Sequence, residues 1–229
     1  MKIFFAVLGI AAIAVFVLSG IGVEADDRAF AERFVVNGSI TAEGDTGTYN
    51  FDKAHTFISF KVKHMGLIEV PGFFRDFAGT VNYDGKDVSK SSVEFSAKVT
   101  SVDTGVTGRD NHLRTADFFE VEKFPDMTFK STKVEKKGNA WTVTGDLTMK
   151  GVTKSVAIPF NITGFLPGNQ RNGPRMGITG ETTINRRDFG VNYGNNLPGT
   201  NTPVISDDVK VVLQIEAVQP KEAPKAPTQ

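Results

Sequence analysis

Residues 155–162 read SVAIPFNI, in which Val156, Ile158, Phe160 and Ile162 are apolar and the residues between them are small or polar. Side chains two apart on an extended chain share one face, so this row describes a strand with a buried side and a wet side. The same alternation recurs outward in both directions. Ile58, Phe60 and Val62 alternate with Ser59, Lys61 and Lys63; Val93, Phe95, Ala97 and Val99 alternate with Glu94, Ser96 and Lys98. Trp141, Val143 and Leu147 stand among Thr142, Thr144, Asp146 and Thr148, and Met176, Ile178 and Ile184 among small residues. Val209, Val211, Leu213 and Ile215 close the series against Lys210, Gln214 and Glu216. With the aromatic segment Phe73 to Tyr83 and the run Met127 to Val134, the pattern predicts eight strands, and Tyr49 to Phe51 is a candidate ninth.

The joins carry turn chemistry: NYDGK (Asn82 to Lys86), KKGN (Lys136 to Asn139), Lys150-Gly151, and PGNQRNGP (Pro167 to Pro174). Strands joined by turns this short run antiparallel. The only stretch that reads as helix is short, Thr107 to Phe119, and Pro125 then forces Phe124 into an extended conformation that starts the next strand. The fold class is therefore all-β, with eight antiparallel strands and one short helix, arranged as a barrel or as a sandwich. Nineteen Phe beside three Tyr and one Trp make the hidden face bulky, while Ala97, Gly145 and Gly180 place small residues in the same rows, as a tapered lumen requires. An eight-stranded interior is wide enough to be filled by its own side chains or to hold one small ligand, and alternation does not choose between the two.

The N-terminus has one charge, Lys2, then an apolar run from Ile3 to Leu18, then small residues up to Ala25 before Asp26-Asp27. That order is a secretory signal with cleavage expected after Ala25, although the uncharged run to Val23 is also long enough for a retained anchor. The expected organisation is a signal at 1–25, a weakly patterned segment at 26–46, the β domain at 47–218 and a Pro/Lys/Ala-rich tail at 219–229. A periplasmic or secreted location follows. The absence of cysteine excludes disulfides, thiolate zinc sites and N-terminal lipidation on cysteine. Acidic and basic residues balance at 26 each, and losing the signal removes one of each kind, so no long-range field attracts nucleic acid or anionic lipid surfaces.

Catalytic patterns are missing from the sequence. The histidines are His55, His64 and His112, without HExxH spacing, and no GxSxG elbow accompanies them, so no catalytic residue and no metal site is assigned. The densest polar cluster is RDNHLRTADFFEVEKFP, residues 109–125. Asp110 suits a helix N-terminus, and Arg109, Arg114, Asp117, Glu120 and Glu122 are expected to pair with one another over an apolar underside of Leu113, Phe118 and Phe119. The segment reads as a helix that plugs one end of a barrel, with His112 and Arg114 as alternative polar contacts for a ligand head.

Five stretches in order, DKAHTFISFKVKHMG (52–66), HLRTADFFEVEKFPDMTFKST (112–132), GDLTMKGVTKSV (145–156), TTINRRDFGV (182–191) and SDDVKVVLQIEAV (206–218), resemble the YceI-like family. The resemblance implies a bacterial, commonly periplasmic, lipocalin-like barrel that binds a polyisoprenoid or similar long amphiphile along a tubular apolar interior. Carried onto this chain, it makes Phe60, Val62, Phe74, Phe77, Phe95, Phe129, Leu147, Ile158, Phe160, Ile178, Leu213 and Ile215 the expected lining, and His64, His112 and Arg114 the expected polar rim. Arg186, Arg187 and Asp188, before the DFGV motif, are expected to knit loops. Two departures stand out: Lys150 replaces a histidine common in relatives, and the Asn/Gly/Pro-rich loop from Asn192 to Ser206 is expected to reshape one barrel mouth.

The expected function is a non-enzymatic exported binding protein for a polyisoprenoid, isoprenoid quinone or similar lipid, for carriage, storage or sequestration. That lipid is its ligand, and no cofactor is required. Expected partners are the amphiphile and a transient membrane or membrane-protein exchange partner, with oligomeric state left open and a homodimer among the options. The alternatives are an enzyme acting on an isoprenoid or quinone with His112, Arg114 and neighbouring carboxylates as acid or base, and a solid-cored envelope stress or interaction module.

Overall fold

A computed structural model describes residues 40–221, apart from 139, 170 and 171. The expected leader, most of the weakly patterned segment and the end of the tail lie outside the described residues. Among the described residues the strands are β1 (Gly47–Phe51), β2 (Phe57–His64), β3 (Ile68–Phe74), β4 (Phe77–Tyr83), β5 (Ser92–Lys98), β6 (Val102–Asp103), β7 (Asp126–Lys137), β8 (Ala140–Met149), β9 (Val152–Leu166), β10 (Arg175–Asn185) and β11 (Ile205–Val218), with one α-helix, α1 (Thr107–Arg114).

Three consecutive pairs of these strands are single staves with a break. Both β1 and β2 run against β11, with Phe51 facing Ala217 and Phe57 facing Gln214. Likewise β3 and β4 run against β2 and β1, while β5 and β6 run against β4 and β3. Counted as staves, the described residues form a closed eight-stranded antiparallel barrel in which each stave pairs with the next in sequence and the first with the last. Closure removes the open sheet edges that would otherwise template aggregation. Tyr49 to Phe51 is accordingly the start of the first stave, not a ninth.

The breaks change which residues face inward. At Asp52 to Thr56 the carboxylate and carbonyl of Asp52 accept from the backbone N–H groups of Ala54 and His55, a local turn that interrupts the ladder. At Arg75-Asp76 a two-residue interruption leaves Phe74 and Phe77, three apart, both buried. A strict period of two would have put them on opposite faces.

Turn and packing chemistry hold the staves in register. Lys150 (φ 50°) and Gly151 (φ 75°) form the left-handed pair that a two-residue hairpin needs between β8 and β9. Gly145 is empty of side chain because a Cβ there would lie 2.5 Å from both the Phe129 ring and the Lys130 carbonyl. The small residue in an inward row thus makes room for a large one on the neighbouring stave.

The barrel's two ends are built differently. At one end Tyr49, Tyr83 and Phe165 pack edge to face and tilted, with centroids 5.0 to 6.5 Å apart, over Met176 and Ala217. Residues 40–46 fold across this end: Thr41 and Phe165 exchange backbone hydrogen bonds, and Gly44 lies against the Phe165 ring. The Tyr49 hydroxyl donates to the Asp45 carbonyl at 2.8 Å, and burial pushes its pKa up to about 12. We call this end the floor. The other, the helix end, carries α1, the turns at 115–124, the loop from Gly190 to Val204 and the β2–β3 hairpin.

Candidate functional site

A cavity of about 650 Å³ runs inside the barrel from Tyr83 and Met176 at the floor to His64, Arg109 and Tyr193 at the helix end. Its wall is made by the inward rows of the staves and is overwhelmingly apolar. Along β9 it is lined by Val156, Ile158, Phe160 and Ile162, the row that first indicated a strand. The interior is therefore hollow, the option that alternation left open. At the floor the lining residues are buried or half-buried, whereas at the helix end Ile68 (63 % exposed), Tyr193 (44 %) and Arg109 are exposed.

Polar groups gather at the helix end. Asp110, buried in the first half of α1, accepts from the backbone N–H and hydroxyl of Thr104, which fixes the loop entering the helix. Arg109 donates to the hydroxyl and carbonyl of the same Thr104 at 2.7 and 2.8 Å. His112 and Asp117 lie 2.8 Å apart, and the His112 ring packs edge-on against Phe118 and Tyr193 at centroid distances of 5.1 and 4.8 Å. These partners correct the expectation that the charges of residues 109–125 pair with one another: Arg109 and Arg114 bind backbone and neutral oxygens, and Asp117 binds His112.

The loop that carries Tyr193 is tied down by two arginines. Arg186, 4 % exposed, donates to the carbonyls of Val191 and Ser206 and, at 2.8 Å, to the Asp207 carboxylate. Burial pulls its guanidinium below the ordinary arginine value, and Asp207 opposes that shift. Arg187 shares Asp207 at 2.6 Å and reaches the carbonyls of Asn192 and Gly194. Both arginines knit loops, and Arg186 also forms part of the cavity wall. A separate cluster on the β1–β2 break brings together Asp52, His55 and Glu216, a set that offers three metal-ligating atoms. The Arg175 guanidinium stands among them, bonded to Asp52 at 2.9 Å and to Glu216.

A family model for the YceI-like domain matches residues 49–217, the barrel from its first stave to its last. The chain is 37 % identical over 175 residues to Protein YceI of Escherichia coli, covering 76 % of this chain and 87 % of that protein. The chain belongs to the YceI-like family. Its barrel superimposes on that of BcnA from Burkholderia cenocepacia with a TM-score of 0.64 at 25 % identity, covering 73 % of this chain and 99 % of the other. A polyisoprenoid-binding domain from Saccharophagus degradans implicated in plant cell wall breakdown shares the fold at a TM-score of 0.55 and 16 % identity, covering 77 % and 100 %.

Of the lining expected from the YceI-like resemblance, Phe60, Val62, Phe74, Phe95, Phe129, Leu147, Ile158, Phe160, Ile178, Leu213 and Ile215 line the cavity, as do His64 and His112. Phe77 does not. The break at Arg75-Asp76 turns it into the packed core beside Phe95 and toward a shallow outer pocket shared with Lys53 and Arg75. Arg114 is also absent from the wall: it reaches back from the last turn of α1 to the carbonyls of Thr100 and Val102 at 2.8 and 2.9 Å and anchors the helix to the third stave. Of the groups named for acid–base work, Arg114 thus lies outside the cavity wall, while His112 stands in it paired with the Asp117 carboxylate. Thr104, Arg109 and Tyr193 line the helix end without having been singled out as site residues. Their signal lay in position, just before α1, within its first turn and after the DFGV motif, and not in residue type.

Proposed function

We propose that this YceI-like chain is an exported, non-catalytic carrier that holds a polyisoprenoid, isoprenoid quinone or similar long-chain amphiphile in the barrel, tail toward the floor and head at the helix end. The observation that carries this reading is the continuous apolar cavity, closed at one end and rimmed by polar groups at the other. Apolar burial favours such a ligand by about 0.8 kcal/mol per methylene, so each five-carbon unit contributes about 4 kcal/mol before ordering costs. A few groups such as Arg109, His112 and Tyr193 are enough to orient a head. The ligand class of the S. degradans domain is compatible with a tube of this kind.

Organic extraction of natively purified protein, followed by mass spectrometry, is expected to yield a long-chain lipid. Phe160→Glu, which puts a charge in the wall, is expected to lose that lipid while keeping the β-sheet circular dichroism signal. Ile178→Trp, which narrows the tube, is expected to shorten or exclude the longest ligands. A wild-type protein that contains no lipid and takes up none from a fluorescent long-chain probe sinks the proposal. Export is tested separately: protein recovered from the periplasm is expected to begin at Asp26.

A further inference from the structure

We propose that the helix end is a membrane-docking surface, with the β2–β3 hairpin tip, Met65 to Ile68, as the part that enters the lipid. The proposal rests on the lipid-carrier reading of the cavity, because a tube that holds an amphiphile needs a route for it that avoids water. Among the described residues, the strongly exposed large apolar side chains are Ile40, Phe57, Met65, Leu67, Ile68, Val106 and Tyr193. The last five belong to the helix end. Leu67 is 79 % exposed and Ile68 63 %, and Ile68 also lines the cavity, so one apolar surface continues from the outside into the tube.

The tip is shaped to project these side chains. Met65 (φ 51°) and Gly66 (φ 73°) are both left-handed, and the turn is closed by Leu67 N–H donating to the His64 carbonyl at 2.9 Å. Met65 N–H also donates to the Val204 carbonyl, which ties the hairpin to the loop bearing Tyr193. Val106 precedes α1, three residues after β6, the short strand that pairs with the distal end of β3.

An interfacial lipid layer takes up apolar side chains such as these, with polar and charged groups of both signs remaining at the head-group level. Lys63, next to the tip, and Arg109, one turn from Val106, pair with no carboxylate. Carboxylates are interleaved with them: Glu69, which pairs with Lys61, faces Lys63 across the hairpin, Asp208 lies in the stretch of β11 opposite Lys63, and Asp110 beside Arg109 has the neutral Thr104 as its partner. The apolar side chains of the tip, not a net charge, therefore carry the docking.

The chain has no cysteine, so a single introduced thiol can be labelled uniquely. Leu67→Cys and, at the floor end, Lys90→Cys in the full chain would each carry a fluorophore and meet vesicles of mixed zwitterionic and anionic phospholipid with quencher-bearing acyl chains. Docking predicts several-fold stronger quenching at position 67 than at position 90. No quenching at position 67, or equal quenching at both, overturns it. Leu67→Asp combined with Ile68→Asp is expected to slow lipid transfer into unlabelled vesicles by roughly tenfold or more, and unchanged transfer overturns the proposal. Extraction of the same preparations separates the two readings. Lipid without quenching at position 67 removes docking and leaves the carrier standing, whereas quenching without lipid does the reverse.

Discussion

The two ends of the barrel are made from similar residues put to opposite uses. At the floor, Phe165 (3 % exposed) and Tyr49 (0 %) are packed on every side and covered by residues 40–46. At the helix end, Tyr193 sits on His112 and Phe118 at comparable centroid distances, yet 44 % of it faces solvent. Aromatic contact alone therefore does not seal a barrel. What differs is the backbone laid over the rings, and the result is a tube with one fixed end and one accessible end.

The largest expected effect tests that contrast directly. Phe165→Ala should cost about 3–5 kcal/mol, the loss of a buried ring plus the cavity it leaves, because residues 40–46 and the first stave cannot all collapse into the gap. Tyr193→Ala, from a half-wet stack, should cost less than about 1 kcal/mol. Urea denaturation of both variants measures the difference. Equal losses would mean that the helix end is packed as tightly as the floor and that the tube is closed at both ends.

The same contrast shows what the sequence could reveal. Period-two alternation located six of the eight staves, since each long row such as Val156 to Ile162 reports its own buried face, and the aromatic segment Phe73 to Tyr83 and the run Met127 to Val134 supplied the other two. Most of the cavity wall was named on the YceI-like resemblance; alternation by itself treats wall and core residues alike. For the same reason it could not distinguish a filled interior from a hollow one. Phe77 was expected in the wall on the family resemblance; the break at Arg75-Asp76 keeps it inward beside Phe74 despite the odd spacing but packs it into the core against Phe95, and nothing in the identity of those two residues announces a break. Arg114 was misread because the carbonyls it binds belong to residues 100 and 102, and backbone acceptors leave no trace in a pattern of side chains. The floor depends on Tyr49, Tyr83 and Phe165, residues far apart in sequence that only closure of the sheet brings together.

A middle-sized effect concerns how the accessible end keeps its shape. Arg186→Met should cost about 2 kcal/mol, chiefly from leaving the Val191 and Ser206 carbonyls without their donor. The loss stays below that of a fully orphaned buried ion pair because Asp207 keeps Arg187 at 2.6 Å. Hydrogen exchange should speed up at the amides of Val204 and Met65, which bond to Asn195 and Val204. Faster exchange at Tyr49 or Phe165 as well would show that the two ends are mechanically coupled, against the separation drawn above.

The smallest expected effect lies at the seam where the first stave closes on the last. There Asp52, at the β1–β2 break, holds His55 at 3.0 Å and Arg175 at 2.9 Å, while Arg175 also bonds Glu216 on β11. The His55 hydrogen bond, with the Ala54 amide and Arg175 adding to it, lowers the Asp52 carboxyl to about 2. A carboxyl lowered on folding contributes stability that is present above its ordinary value near 4 and is lost as pH falls toward 2. The Asp52 hydrogen bond and charge raise His55 above its ordinary value, so its contribution is complete below about pH 6.5 and fades as pH rises through the folded-state value. The seam is thus most favoured in mildly acidic solution. After allowance for solvent screening, Asp52→Asn should cost about 1 kcal/mol at pH 6, or roughly 2–4 °C in Tm, with the gap to wild type closing near pH 2. His55→Asn should flatten the alkaline decline in Tm and, because it removes the largest influence that lowers Asp52, should also make the acid decline begin at a higher pH than in wild type. If thermal unfolding of Asp52→Asn matches wild type at pH 6, backbone pairing between β1 and β11 alone closes the barrel, and the ion network at the seam adds nothing to the rigidity of the floor side.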